Sequence, residues 1–337
     1  MMDRAAAIEA FLARSGWQGV RRDPLVGDAS LRRYERLNGG PRPALLMDAP
    51  PASGEDVAPF LRVADILRAR GLSVPEIFAV DVDAGLLILE DFGTALYAKV
   101  AQTAPGQEVT LYRAAGETLA SMHRSPPPED MPRYLPLMAN LAALSLDWYA
   151  PEHRGHRPDL VAAMATALND PALAQPTLVH RDFHADNLIW LPDRAGAARV
   201  GLLDFQDAML GPPDYDLASL IDDPRRTVTD AARQAATDAY IAASGRPQAE
   251  VATGLAICST QRCLRILGVF ARLCLRDGKV HYPSFIPRTW DALLRNLAHP
   301  ALADLRVVIL NTMPAPTEIR LDAIRSQAGA FRGQDHA

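Results

Sequence analysis

Apolar and polar residues follow two rhythms along this chain, and the change between them falls near residue 90. At the start, Ile8, Phe11 and Leu12 recur at helical spacing, with Asp3 as a candidate cap and Gly16 as a stop. From Trp17 to Met47 the pattern shortens to extended runs broken by turn residues. Leu25-Val26 and Leu31 to Leu37 flank Gly27-Asp28-Ala29-Ser30, Asn38-Gly39-Gly40 is a turn, and Ala44 to Met47 is a further strand. Phe60, Val63, Ile66 and Leu67 predict a helix over about 59–70 that ends at Gly71. Glu76 to Val82 and Leu86 to Leu89 read as two strands joined by Asp83-Ala84-Gly85.

Beyond that point the spacing is helical over 108–123, 138–148, 158–168, 214–222, 229–244, 249–276 and 288–297. Short β-type runs at 177–179, 188–191 and 200–203 interrupt it around a polar cluster. The expected fold class is α+β and bilobal. A small mixed sheet lobe covers 1–90, a hinge lies near 89–94, and a larger mainly helical lobe covers 91–325. Residues 326–337 are expected to be a disordered tail.

Composition narrows the partners. The chain has 337 residues, 49% of them hydrophobic, and a net charge of −5, which argues against a broad basic surface for nucleic acid. Lysine occurs at Lys99 and Lys279 and nowhere else. Cys258, Cys263 and Cys274 share one apolar stretch without zinc-site spacing and read as reduced thiols. No segment has membrane-spanning length, so the expectation is a cytoplasmic protein without a membrane partner.

The chemistry concentrates between His180 and Asp207. Asp182 can accept or orient the proton of an attacking hydroxyl. Asn187, five residues on, offers an amide oxygen to a magnesium ion without adding charge, and Asp204 offers a carboxylate to chelate magnesium between the phosphates. A hairpin turning around Pro192 to Gly196 would bring Asn187 and Asp204 to neighbouring strand ends. The alternation of His180, Asp182, His184 and Asp186 also suits a metal site, but that reading leaves Asn187 and Asp204 unexplained.

The string from His180 to Asn187, followed by Leu202 to Asp207 and by Gly211-Pro212-Pro213-Asp214-Tyr215-Asp216-Leu217-Ala218, resembles the aminoglycoside phosphotransferase/choline kinase-like family, relatives of protein kinases. The resemblance runs from about residue 25 to 300. It implies a kinase-like fold using ATP and magnesium, with Asp216 bracing the catalytic loop and His180 structural. His184 stays open between packing beside the loop and touching substrate.

The same resemblance places Gly27, Asp28, Ala29 and Ser30 as a turn over the ATP phosphates, where an ordinary hairpin turn would look alike. Kinases usually carry a lysine on the third strand, and this chain reads Ala44-Leu45-Leu46-Met47-Asp48 there. Arg32 or Arg33 is the candidate replacement, and strand alternation lets one of them face the nucleotide. Either Glu55 or Asp65 is a candidate partner for that arginine. Leu89, Glu90, Asp91 and Phe92 form the expected adenine-reading strand end, mainly through backbone groups.

Closer resemblance is to the anomeric cell-wall amino-sugar kinases, carried by Asp28-Ala29-Ser30, Arg32-Arg33-Tyr34, Met47 to Pro51, Glu90 to Gly93 and Asp204 to Ala208. These phosphorylate N-acetylmuramate and N-acetylglucosamine at the C1 hydroxyl in peptidoglycan recycling, and they share the missing lysine. The expected partner is therefore a small sugar, met by Asp182, His184 and Asp207, in a monomeric protein. Arg262 and Arg265 read either as contacts to a sugar carboxylate or as surface charge on a helix. The acids Asp214, Asp216, Asp222 and Asp223 keep an aminoglycoside or choline-like acceptor open, and a catalytically silent nucleotide-binding module is the third reading.

Overall fold

The computed structural model describes residues 4–25 and 32–333, so Asp3 and the last four residues lie outside it. The described chain divides into two compact units. One comprises the residues up to Pro105 together with Asp186–Asp207, and the other comprises Gly106–Ala185 and the residues from Ala208 onward. Compactness thus places 91–105 and 186–207 with the sheet, where chain order alone suggested a boundary near 90. Backbone pairing is the reason. Trp190 N–H donates to the Ala95 carbonyl at 2.8 Å, Leu202 N–H to the Ser73 carbonyl at 2.8 Å, and Ser73 Oγ to the Ala198 carbonyl at 2.6 Å.

In the first unit, α1 (Arg4–Arg14) precedes strands β1 (Arg21–Pro24), β2 (Arg33–Asn38), β3 (Ala44–Asp48), β4 (Ile77–Asp81) and β5 (Leu86–Glu90). They form an antiparallel sheet in the order β1-β2-β3-β5-β4. Phe11 and Leu12 of α1 pack with Leu37, Ala44, Leu46, Leu86 and Ile88 on one face. Met47, Leu87 and Leu89 are buried as well, so the central strands read as unbroken apolar runs. Helix α2 (Ala58–Ala69) follows β3, and α3 (Tyr97–Thr103), which periodicity did not predict, buries Tyr97 edge-on to Trp190 at 6.1 Å. The first strand also differs from expectation. It is built from Arg21-Arg22-Asp23-Pro24, because an edge strand is held by its ladder to β2 and needs little apolar surface.

The second unit is helical: α4 (Glu108–His123), α5 (Leu135–Ala142), α6 (Arg157–Leu168), α7 (Tyr215–Ile221), α8 (Asp230–Ser244), α9 (Gln248–Leu275), α10 (Ile286–Asn296), α11 (Ala303–Thr312) and α12 (Glu318–Ser326). Helix α9, about 42 Å long, is apolar around most of its circumference and runs through the core. The helix expected over 138–148 is broken. After α5 the chain reforms as a wider turn over Ser145–Tyr149, and the break lies where Gly268 of α9 meets the Leu144 backbone. A β-carbon on Gly268 would stand 2.2 Å from the Leu144 carbonyl. The tail is ordered through residue 333, a correction to the expected disorder. Gly329 and Phe331 N–H groups bond the Cys274 and Leu275 carbonyls, and Phe331 meets Trp148 edge-on at 6.4 Å.

Candidate active site

In the helical unit the strand Thr177–Val179 pairs with Met209–Gly211, a strand that its brevity hid in the sequence. The chain leaving it turns sharply. His180 and Arg181 N–H groups donate to the two carboxylate oxygens of Asp216 at 2.6 and 2.9 Å, and Asp216 is fully buried in the first turn of α7. Arg181 adopts φ +76°, a left-handed conformation that a non-glycine residue holds only under constraint. The Asp216 clamp supplies that constraint and sets the direction of the next residue, Asp182. His180 is buried with its ring edge-on to Phe183 at 5.8 Å.

Asp182 is half-buried, and its carbonyl accepts the His184 N–H at 3.0 Å. Burial pushes the Asp182 carboxyl up, but the Arg265 and Arg262 guanidinium groups act against it and the group lies below the ordinary carboxylate range. His184 is buried. Burial, reinforced by Arg225, keeps its imidazole well below the ordinary value of 6.5, so it is neutral at physiological pH.

Two arginines of α9 face this loop. Arg265 Nη1 donates to the Tyr215 hydroxyl at 3.2 Å, Tyr215 and Tyr134 hydroxyls bond each other at 3.1 Å, and the Arg181 guanidinium lies 5.0 Å over the Tyr134 ring. Arg262 is buried, which corrects the surface-charge reading. Sequence reasoning missed Tyr134, Tyr215 and Arg225 as neighbours of the loop, because the pairs are far apart in the chain.

In the sheet unit, Leu188–Trp190 and Val200–Leu202 form the expected hairpin, with Leu188 opposite Leu202. Leu203 N–H bonds the Asn187 carbonyl at 3.0 Å, so Asn187 and Asp204 follow directly on paired positions. Phe205 is fully buried and stacks on Phe60 of α2 at 4.8 Å, and Asp204, with φ +57°, projects to the exposed side. Gln206 Nε2 donates to Asp204 Oδ1 at 2.8 Å, and Asp207 is exposed beside it. An amide oxygen and an exposed carboxylate are hard oxygen donors of the kind magnesium takes, so this donor set fits the ion.

The expected phosphate turn Gly27-Asp28-Ala29-Ser30 lies outside the described residues. Of the two arginines after it, Arg33 is exposed, whereas Arg32 is largely enclosed and pairs with Glu55 at 2.8 Å. Asp65 instead pairs within its own helix, with Arg68. The strand end carries ion pairs of its own: Glu90 with Arg194 at 2.5 Å and Asp91 with Arg36 at 2.5 Å. Asp91 Oδ1 also accepts the Gly93 N–H, and Arg194 covers the Phe92 ring at 4.9 Å. Leu89 is buried. Glu90 and Asp91 are therefore engaged within the unit, where the sequence had left ribose contact or plain exposure open.

Residues 22–252 match the phosphotransferase enzyme family. An N-acetylmuramate/N-acetylglucosamine kinase from Caulobacter vibrioides is 39% identical over 94% of this chain and 98% of its own. One from Pseudomonas aeruginosa is 34% identical over 88% of this chain and 90% of its own. Among solved structures, a choline/ethanolamine kinase family protein from Mesorhizobium loti superposes with a TM-score of 0.60 at 16% identity, covering 96% of this chain and all of that one.

Proposed function

The chain belongs to the phosphotransferase enzyme family, and from that premise we propose that it transfers the γ-phosphate of ATP to the anomeric C1 hydroxyl of N-acetylmuramate or N-acetylglucosamine. The observation that carries this reading is the kinase from Caulobacter, similar along 94% of a chain that also holds Asp182, Asn187 and Asp204 in kinase spacing. The setting is cytoplasmic cell-wall sugar recycling by a monomer. The sheet unit, residues up to Pro105 with Asp186–Asp207, serves as the nucleotide-binding part, and Gly106–Ala185 with the residues from Ala208 onward as the catalytic and acceptor part.

Asp182 orients the acceptor hydroxyl for in-line attack and takes its proton as the bond to phosphorus forms. Its depressed pKa keeps it ionised for that role, and Asp216 fixes its approach through the preceding N–H groups. Asn187 and Asp204 would hold magnesium, which supplies charge neutralisation on the phosphates. Arg32, steadied by Glu55, replaces the missing strand lysine as the phosphate-binding cation. The Glu90 and Asp91 N–H groups already bond the Glu76 and Pro43 carbonyls, so adenine is read by other backbone groups between Leu89 and Phe92. Asp207 and His184 complete the acceptor side.

The acidic string that kept an aminoglycoside acceptor open is occupied internally. Asp214 pairs with Arg246, Asp216 takes the loop N–H groups, Asp222 is met by Arg233 and Arg295, and Asp223 lies 3.8 Å from Arg225. These internal partners weaken the case for that string as a wall for a cationic acceptor. Incubation with ATP, magnesium and each sugar, followed by phosphorus NMR, should yield the sugar 1-phosphate. Turnover of kanamycin or choline without any sugar phosphate would sink the reading, and nucleotide binding without turnover would favour a silent module. Asp182→Ala should lower kcat by about 10²–10⁴-fold; full activity in that variant would overturn the assignment of roles.

A further inference from the structure

Arg262 is 4% exposed and, among the described residues, is the one fully buried arginine. Its Nε has no hydrogen-bond partner. Other arginines drawn in from solvent in the same unit face carboxylates: Arg226 meets Glu108 at 2.6 Å, Arg233 meets Asp222 and Arg246 meets Asp214. Arg262 feels the charge of Asp182 and Asp216, yet its Nε bonds to neither, and a buried guanidinium with an unused donor is unfavourable and persists where it has work to do. Arg265 follows three residues later on the same face of α9, and its bond goes to a neutral hydroxyl, that of Tyr215. Two cations thus stand together, and neither has a protein carboxylate as its ion-pair partner among the described residues.

Their surroundings indicate which anion they await. The relay from Arg265 through Tyr215 and Tyr134 to Arg181 ends one residue from Asp182, the group that meets the acceptor. The residues assigned to the nucleotide and its metal, Arg32, Asn187 and Asp204, belong to the other unit. We propose that Arg262 and Arg265 form an acceptor-side anion site that binds a sugar carboxylate, so that an acid-bearing amino sugar is preferred to its neutral counterpart. The inference rests on the amino-sugar kinase reading above. N-acetylmuramate differs from N-acetylglucosamine by a lactyl ether ending in one carboxylate, and a guanidinium fork matches a carboxylate in geometry and charge.

The test compares kcat/KM for N-acetylmuramate, its uncharged carboxamide and N-acetylglucosamine. The amide removes the charge at nearly constant shape without altering the protein, so a folding defect cannot imitate the result. The wild-type protein should prefer acid to amide by about 10- to 100-fold. Arg262→Met should bring the acid down to the level of the amide, mainly through KM, and Arg262→Lys should restore part of the preference. Equal use of acid and amide by the wild type would overturn the proposal. So would a fall of the same factor for acid and amide in Arg262→Met, which would assign the cation to the transferred phosphate or to the loop. Phosphorylation of the neutral sugar but not the acid would defeat this inference alone. Failure with both sugars would defeat it together with the kinase reading.

Discussion

His184 shows how far its surroundings decide what a side chain does. A histidine in solution takes up a proton near pH 6.5, but here burial and Arg225 hold the folded-state value far lower. The unfolded chain therefore binds a proton in mild acid that the folded chain refuses. His184's contribution to stability is whole above pH 6.5 and is lost as pH falls below it. Between about pH 7.5 and about pH 5.5 the wild type should lose more stability than His184→Gln, on the order of 1 kcal/mol. Melting curves of both proteins across that range check this, and parallel pH dependence would contradict it. Burial pushes the Asp216 carboxyl up to about 7 despite two N–H donors, which acts in the opposite sense over the same range. That term is common to both proteins and cancels in the comparison. Asp182, Asn187 and Asp204 were legible in the sequence because their spacing is local. The Arg32–Glu55 pair was narrowed to two acids and decided by position in the fold, since 23 residues separate its members.

Helices α4 and α8 pack so closely that Gly116 has no room for a side chain. A β-carbon there would stand 2.2 Å from the Ala236 carbonyl oxygen, a backbone atom that yields only if the helix moves. Helix propensity alone favours Gly116→Ala by about 1 kcal/mol. Overpacking should reverse that sign and leave the variant less stable by about 1–3 kcal/mol in chemical denaturation. Gly155→Ala, where a β-carbon meets nothing within 4 Å, is the control and should be close to neutral. The extents of α4, α6, α8 and α9 follow apolar periodicity, so they were legible to within a residue or two. The split between α5 and Ser145–Tyr149 was not, because it lies where α9 approaches in space and no local signal records that approach.

The two compact units do not follow chain order, and this has a measurable consequence. The hairpin Leu188–Trp190/Val200–Leu202 is embedded in sequence among helices but bonds to Ser73 and Ala95 of the sheet unit. Its amides should open together with β3 and β5 under native-state hydrogen exchange in rising denaturant, with similar free energies. Opening of the hairpin with α4 and α9 instead would show that the compact grouping is not the cooperative one.

The sequence by itself determined the α+β class, the run of helices after the sheet and the spacing of the candidate residues Asp182, Asn187 and Asp204, because each depends on near neighbours in the chain. It also carried the resemblance to small-molecule kinases, since that signature is a string of near neighbours. Only the tertiary structure decided that Arg262 is buried while Arg33 is exposed, and that Asp214, Asp222 and Asp223 face arginines while Asp216 takes backbone N–H groups. Burial and charge pairing are properties of what the rest of the chain brings to a side chain, and that is set by packing between distant segments.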